Sequence, residues 1–317
     1  MGKLKALALL GTAGAAAFYA VNNMIHEGLI SREVPMPESV SKLISEKGEN
    51  EFEKIEKEYM SWLETQEIEE ISRVNDKGFR LQAYLIRPEK KSDVYIFASH
   101  GYRCNGKKEW ARYVDFYVNQ MGYNMFFIDH QAAGKSEGKY IGFASFESRD
   151  GLDWLDFMIE SFGKDIKIIL HGISMGSATV MLMSGSDRLP ENVKFTIADC
   201  GFTSALDEFT YKLESLKVPK FPTIPVVSAI NRHKVGYDFD KDTNALEAMK
   251  KAKVPMLFVH GGADKFVPTY MGYILYHECT SEHKDLLIVE GADHAQSYLV
   301  DMEGYQAKIK NFAEKFI

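Results

Sequence analysis

The sequence predicts an α/β fold in which a mostly parallel sheet carries helices on both faces, and three observations lead there. Six short apolar runs, at 94–98, 125–128, 166–170, 195–198, 256–259 and 286–289, alternate with segments of helical character. Two earlier runs, 68–74 and 79–86, are joined by Asn75-Asp76-Lys77-Gly78, so the sheet is expected to open with an antiparallel hairpin. The pentad Gly172-Ile173-Ser174-Met175-Gly176 stands where one apolar run ends and a helical segment begins. Apart from Lys167 and Thr196 the six later runs are apolar rather than alternating, as strands covered on both faces are, and parallel neighbours require crossover helices between them.

Lys3 and Lys5 precede a run from Ala6 to Ile25 that carries no charge and is about as long as a helix needs to cross a bilayer. Residues 1–25 therefore read as a signal anchor in the cell membrane, its basic end in the cytoplasm and the rest of the chain outside. A cleaved leader, which would release the protein by secretion, and a plain packed helix are the alternatives. Residues 26–66 read as a polar linker containing Pro35 and Pro37, then an amphipathic helix whose stripe is Phe52, Ile55, Tyr59 and Trp62. Residues 67–317 are expected to form the domain that holds the sheet. Within it, about 203–250 contains no convincing strand but many apolar residues punctuated by Pro219, Pro222 and Pro225, which predicts a small helical cap lining an apolar pocket.

Composition narrows the function. With 45% hydrophobic and 26% charged residues in 317, the chain can bury a full core. The net charge of −7 is dispersed and no basic strip alternates with aromatics, so nucleic acid is not an expected partner. Cys104, Cys200 and Cys279 are odd in number and far apart, which argues against a disulfide framework or a structural zinc site.

Taken alone, a G-x-S-x-G pentad arises by chance in about one chain in ten of this length. Here it follows the run 166–170 directly and leads into Ser177-Ala178-Thr179-Val180-Met181, placing Ser174 on a sharp strand-to-helix turn that only very small neighbours permit. A serine hydroxyl needs an imidazole to take its proton and a carboxylate to hold the second ring nitrogen. Behind two later runs stand Asp264, in His260-Gly261-Gly262-Ala263-Asp264, and His294, in Glu290-Gly291-Ala292-Asp293-His294. Ser174, Asp264 and His294 are thus the expected nucleophile, acid and base. Asp293 adjoins the histidine, but a sequence neighbour is badly placed to reach its ring. His100, His171 and His260 each precede a glycine at a strand end and read as turn residues or supporting groups rather than metal ligands. The oxyanion of an acyl-transfer intermediate needs two N–H donors, expected from Met175 and from Tyr102 in the loop 99–105, where Arg103 and Asn105 would support the backbone.

Over roughly residues 68 to 316, these motifs give the chain a resemblance to the α/β-hydrolase superfamily, in particular to the serine aminopeptidase-like and bile-acid-CoA acyltransferase-like branches. GISMGS, SHGYRCN, DHQAAGKSEGKYIGF, GGADKFVP and GADHAQS carry it. Gln131-Ala132-Ala133-Gly134 departs from the Arg-Gly-His-Gly type loop frequent in such proteins, without touching a catalytic position. The resemblance implies an eight-stranded sheet, no cofactor, and an ester or related small-molecule acyl substrate. The expected activity is that of a carboxylesterase for short to medium acyl esters. A serine peptidase, an acyltransferase or thioesterase on the same three residues, and a non-catalytic binding module are the other readings.

If a histidine is the base, hydrolysis of a neutral ester falls as pH drops through roughly 6 to 7, where imidazole ordinarily takes up a proton. A pH–rate profile for kcat/KM that is flat across that range contradicts the assignment.

Overall fold

The computed structural model describes residues 2–35 and 51–317, with side chains described for 14–35 and 54–317. After helices α1 (Gly2–Ile30) and α2 (Glu51–Leu63) come strands β1 (Glu69–Val74), β2 (Arg80–Ile86) and β3 (Val94–Ser99). Helix α3 (Gly106–Val114), a π-helical turn (Asp115–Gln120), β4 (Asn124–Asp129), α4 (Ser145–Phe162), β5 (Lys167–Ile173), α5 (Met175–Ser184) and β6 (Val193–Asp199) follow. Helices α6 (Ala205–Ser215), α7 (Lys220–Lys234) and α8 (Ala245–Met249) lead to β7 (Met256–Gly261), α9 (Thr269–Glu278), β8 (Lys284–Val289), α10 (Ser297–Val300) and α11 (Met302–Phe316).

The strands form one eight-stranded sheet in the order β1-β2-β4-β3-β5-β6-β7-β8. β2 pairs antiparallel with β1 and β4, and every other pairing is parallel, so a single strand runs against the rest. Each expected apolar run is a strand here. β3 and β4 are buried at every position, in keeping with the apolar runs 94–98 and 125–128 that they contain. β1 lies at one edge and is largely exposed, with Glu69, Glu70 and Arg73 blunting that edge against further pairing.

Alternate residues of a strand face opposite sides, and the core divides accordingly. Ile96, Ala98, Ile169 and Phe195 pack with Trp110 of α3 and with Tyr305, Ile309 and Phe312 of α11. Phe97, Ile168 and Leu170 pack with Trp154 and Leu155 of α4 and Val180 of α5. The stripe of α2 delivers Tyr59, Met60, Trp62 and Leu63 to the first of these layers, while its Phe52 lies outside the described side chains.

Between β6 and β7 run α6, α7 and α8: α6 starts just past the carboxyl end of β6, where the loops of a parallel sheet build sites, α7 packs on α1, and α8 lies against the far end of α5, where a Cβ on Gly185 would stand 2.5 Å from the Ala248 carbonyl oxygen. At the N-terminus the chain departs from its expected organisation. α1 continues to Ile30, through the start of the region expected to be a polar linker, while residues 36–50 of that region lie outside the described residues. Its last turns pack on the cap: His26 is buried with Nε2 3.1 Å from Asn231 Oδ1, and Lys234 Nζ lies 2.9 Å from Glu27 Oε1. These polar residues look solvated in sequence because their partners stand two hundred positions away. Among the described residues no helix is long and apolar enough to cross a membrane, so the expected anchor gains no support from the fold. Residues 6–13 of the uncharged run lie outside the described side chains.

One buried carboxyl makes stability depend on pH. Glu147, in the first turn of α4, is fully buried; Oε1 accepts from the Gly142 N–H at 2.8 Å and Oε2 has no partner. Burial pushes its carboxyl up to about 7, from an ordinary 4.5. Between those values the folded chain keeps a proton that the unfolded chain has released, so stability falls as pH rises through this window, by on the order of 3 kcal/mol from this group. Thermal unfolding is expected to show Tm declining from pH 5 to 7.5, with a shallower decline in Glu147→Gln; parallel curves for the two proteins refute the assignment.

Candidate active site

The site is built around the turn from β5, in the middle of the sheet, into α5. Ser174 occupies that turn with φ 57° and ψ −117°, a conformation strained for a residue with a Cβ. It persists because the surroundings leave no alternative. A Cβ on Gly172 would stand 2.1 Å from the Gly176 carbonyl oxygen, and one on Gly176 would stand 2.0 Å from that of Ser99. The two glycines let α5 lie against β5 and β3, and the Ser174 N–H is held by the Asp199 carbonyl at 2.9 Å.

His294 lies in the loop after β8 and Asp264 in the loop after β7. His294 Nε2 is 2.9 Å from Ser174 Oγ, and its Nδ1 is 2.8 Å from Asp264 Oδ2. The other carboxylate oxygen of Asp264 accepts from the N–H groups of Phe266 and Val267, both at 2.9 Å. His260 stands 3.3 Å from Oδ2, with its Nε2 2.9 Å from the Val267 carbonyl. Burial opposes ionisation of Asp264, yet the rings of His294 and His260 outweigh it and hold the carboxyl well below the ordinary carboxylate range. The Phe266 ring, 4.7 Å from the His294 ring, covers the imidazole on one side. Asp293 instead accepts from the backbone N–H of His294 at 2.8 Å.

Met175 supplies the first N–H of α5, which has no acceptor within the helix and stands at the positive end of its dipole. The loop carrying Tyr102 runs alongside, since a Cβ on Gly101 would lie 3.4 Å from the Ser174 Cβ. This loop is held from two sides. Toward α1, the Tyr102 hydroxyl donates to the Leu29 carbonyl, and Arg103 Nη2 donates to the carbonyls of Gly28, Ser31 and Val34 at 2.8, 3.0 and 3.0 Å. Toward α3, the Gly101 N–H donates to Glu109 Oε2 at 3.2 Å, and the Asn105 side chain caps the helix by accepting from the Lys108 N–H at 3.0 Å.

A cavity of about 220 Å³ opens at Ser174. Its walls are Tyr102 and Phe143 from the body, Leu206, Phe209 and Leu213 from α6, Val227 from α7, Phe266, and Ile25 and Leu29 from α1. Nothing in the sequence marked the last two, which fall within and just beyond the uncharged N-terminal run. Glu208 and Lys212 of α6 also line the cavity, 3.7 Å apart; burial pushes the Glu208 carboxyl up and the Lys212 ammonium down.

Other groups singled out in the sequence have quieter places. His171 is buried between the hydroxyls of Tyr117 at 2.8 Å and Tyr305 at 3.0 Å, and burial lowers its ring to about 3. His100 accepts from the His130 N–H at 3.0 Å and is kept neutral by burial. Burial and the nearby Glu109 push the Cys104 thiol well up, away from reactivity. Cys200 Sγ, an Asp264 oxygen and a His294 nitrogen lie within 4.8 Å of one another, the set best able to hold a metal among the described residues. They fit one poorly, because Asp264 and His294 already engage each other and burial pushes the Cys200 thiol well up.

No protein-family model matches the chain. The YqkD protein of Bacillus subtilis (strain 168) is 26% identical over 239 residues, 75% of this chain and 76% of its own. The α/β-hydrolase domain-containing protein WAV2 of Arabidopsis thaliana is 23% identical over 255 residues, covering 78% and 79%. Among solved structures, the Pyrococcus furiosus esterase Pf2001 superposes with a TM-score of 0.64 at 19% identity, over 81% of this chain and 93% of that one. Est1E from Butyrivibrio proteoclasticus, with ferulic acid bound, does so with a TM-score of 0.54 at 18% identity, over 78% and 98%.

Proposed function

We propose that this chain, an α/β hydrolase by fold, is a serine hydrolase that cleaves carboxylic esters of short to medium acyl chains. The observation that carries the reading is the unbroken line Ser174 Oγ, His294 and Asp264, at 2.9 and 2.8 Å, opening on an apolar cavity. Ser174 Oγ bonds to the ester carbonyl carbon while His294 Nε2 takes its proton; the carbonyl π pair moves to oxygen, facing the N–H groups of Met175 and Tyr102. Collapse expels the alcohol, protonated by His294, and leaves an acyl-enzyme that water resolves by the same route in reverse. Asp264, held ionised, keeps the imidazole oriented and stabilises the imidazolium that forms. The names of solved neighbours, two of them esterases, accord with this reading.

The cap favours esters over peptides with a free amine. An ammonium group needs an ionised carboxylate, whereas burial pushes the carboxyl of Glu208, the acidic residue lining the cavity, up toward its neutral form, and the Lys212 side chain stands 3.7 Å from it. A substrate cation would meet that like charge.

Labelling with an active-site fluorophosphonate is expected in the parent protein and absent in Ser174→Ala, whose ester kcat/KM falls by at least about 10⁴-fold. Equal labelling of both removes Ser174 as nucleophile, and turnover of aminoacyl amides without esters replaces the esterase by a peptidase. A second expectation concerns the wall made by α1. Leu29→Trp fills part of the cavity, so in a p-nitrophenyl ester series the optimum shifts to shorter chains, each excluded methylene weakening transition-state binding by about 0.8 kcal/mol. An unchanged chain-length profile in this variant shows that acyl groups do not occupy this cavity.

A further inference from the structure

Two loops must keep a fixed separation for the proposed chemistry: the one that carries Tyr102 and the one that carries His294. Between them runs a continuous polar connection. The Gly101 N–H donates to Glu109 Oε2 at 3.2 Å, Glu109 Oε1 faces Arg112 Nη2 at 3.2 Å, and the same Nη2 donates to the carbonyl of Ala295 at 3.1 Å. Ala295 follows the histidine directly and has φ 56°, a left-handed conformation that needs holding in place. The remaining arm of the guanidinium, Nη1, is 3.0 Å from Glu56 Oε1 on α2. Arg112 is only 5% exposed, and Glu109 11%, so this is not a solvated surface pair.

We propose that Arg112 and Glu109 are positioning residues that set the distance and the charge balance between the oxyanion loop and the histidine loop. The inference rests on the serine-hydrolase reading of the site. The fork shape of guanidinium is what the task requires, because one planar group reaches a carboxylate and a backbone carbonyl at once. Charge is the second half. Glu109 places a carboxylate against the loop where negative charge develops in the tetrahedral intermediate, and the adjoining guanidinium offsets it. Without Arg112 that carboxylate stands uncompensated and partly buried, repelling the oxyanion while Ala295 and His294 lose their tether.

The test uses the full-length chain with p-nitrophenyl esters and fluorophosphonate labelling, following kcat and KM separately. Arg112→Met is expected to lower kcat by about 100-fold with KM within about threefold, since displacement of reacting groups acts on the transition state. Removing the stranded carboxylate as well, in Glu109→Gln/Arg112→Met, is expected to restore kcat about tenfold, which a merely structural role would not do. Arg112→Lys keeps the charge without the fork, and an intermediate loss of about tenfold is expected; this variant serves where Arg112→Met does not fold. A kcat for Arg112→Met or Arg112→Lys within threefold of the parent, or a double variant no better than Arg112→Met, overturns the inference. If the parent itself takes no fluorophosphonate at Ser174, the serine-hydrolase reading fails and this one with it; a labelled parent with unaffected variants sinks this one alone.

Discussion

The nearness of α5 to the sheet is the constraint from which the rest of the site follows. Gly172 and Gly176 bring the helix within van der Waals contact of β5 and of the Ser99 carbonyl, at distances no Cβ would tolerate. That closeness forces the strained backbone of Ser174, aims its hydroxyl away from the core, and leaves the Met175 N–H facing the same space. Strain of this kind, of order 1–3 kcal/mol, survives only in a rigid frame. The frame here is a sheet buried on both faces, with Trp110 and Tyr305 on one side and Trp154 on the other.

Asp264 and His294 reach Ser174 because β7 and β8 lie on the same side of β5 and run the same way, so their loops emerge at one end of the sheet. Asp264 is then fixed by two backbone N–H groups and two imidazoles, which explains why a carboxylate so buried remains ionised. A polar network this complete costs little to bury, whereas a partial one would be expensive.

Much of this was legible in the sequence, for definite reasons. Strands covered on both faces read as near-continuous apolar runs, and the parallel strands announced themselves that way, interrupted only at Lys167 and Thr196. The order Ser174, Asp264, His294 behind three such runs singled out the residues that the structure joins through the two nitrogens of His294. Asp293 was set aside because adjacent residues point apart along the chain, and its carboxylate turns back to the His294 backbone. What stayed hidden depends on distant partners. His26 and Glu27 looked like linker residues because Asn231 and Lys234, which bury and pair them, are remote in sequence. Glu109 and Arg112, three apart on a helix, look like an ordinary surface ion pair; only the folded chain shows Gly101 at one end and Ala295 at the other. The uncharged N-terminal run carries a membrane-length pattern, yet its far end is spent on the cavity wall.

That wall has a consequence for how the protein is made. Ile25 and Leu29 are made before the rest of the wall, Ser174 after them, and His294 later still. A chain synthesised from its N-terminus can therefore form the turn at Ser174 before His294 exists to face it, and it closes the cavity only when α1 docks on a cap made much later. Neither the contact between Ser174 and His294 nor the wall of the cavity can be completed until segments far apart in the chain have both been made.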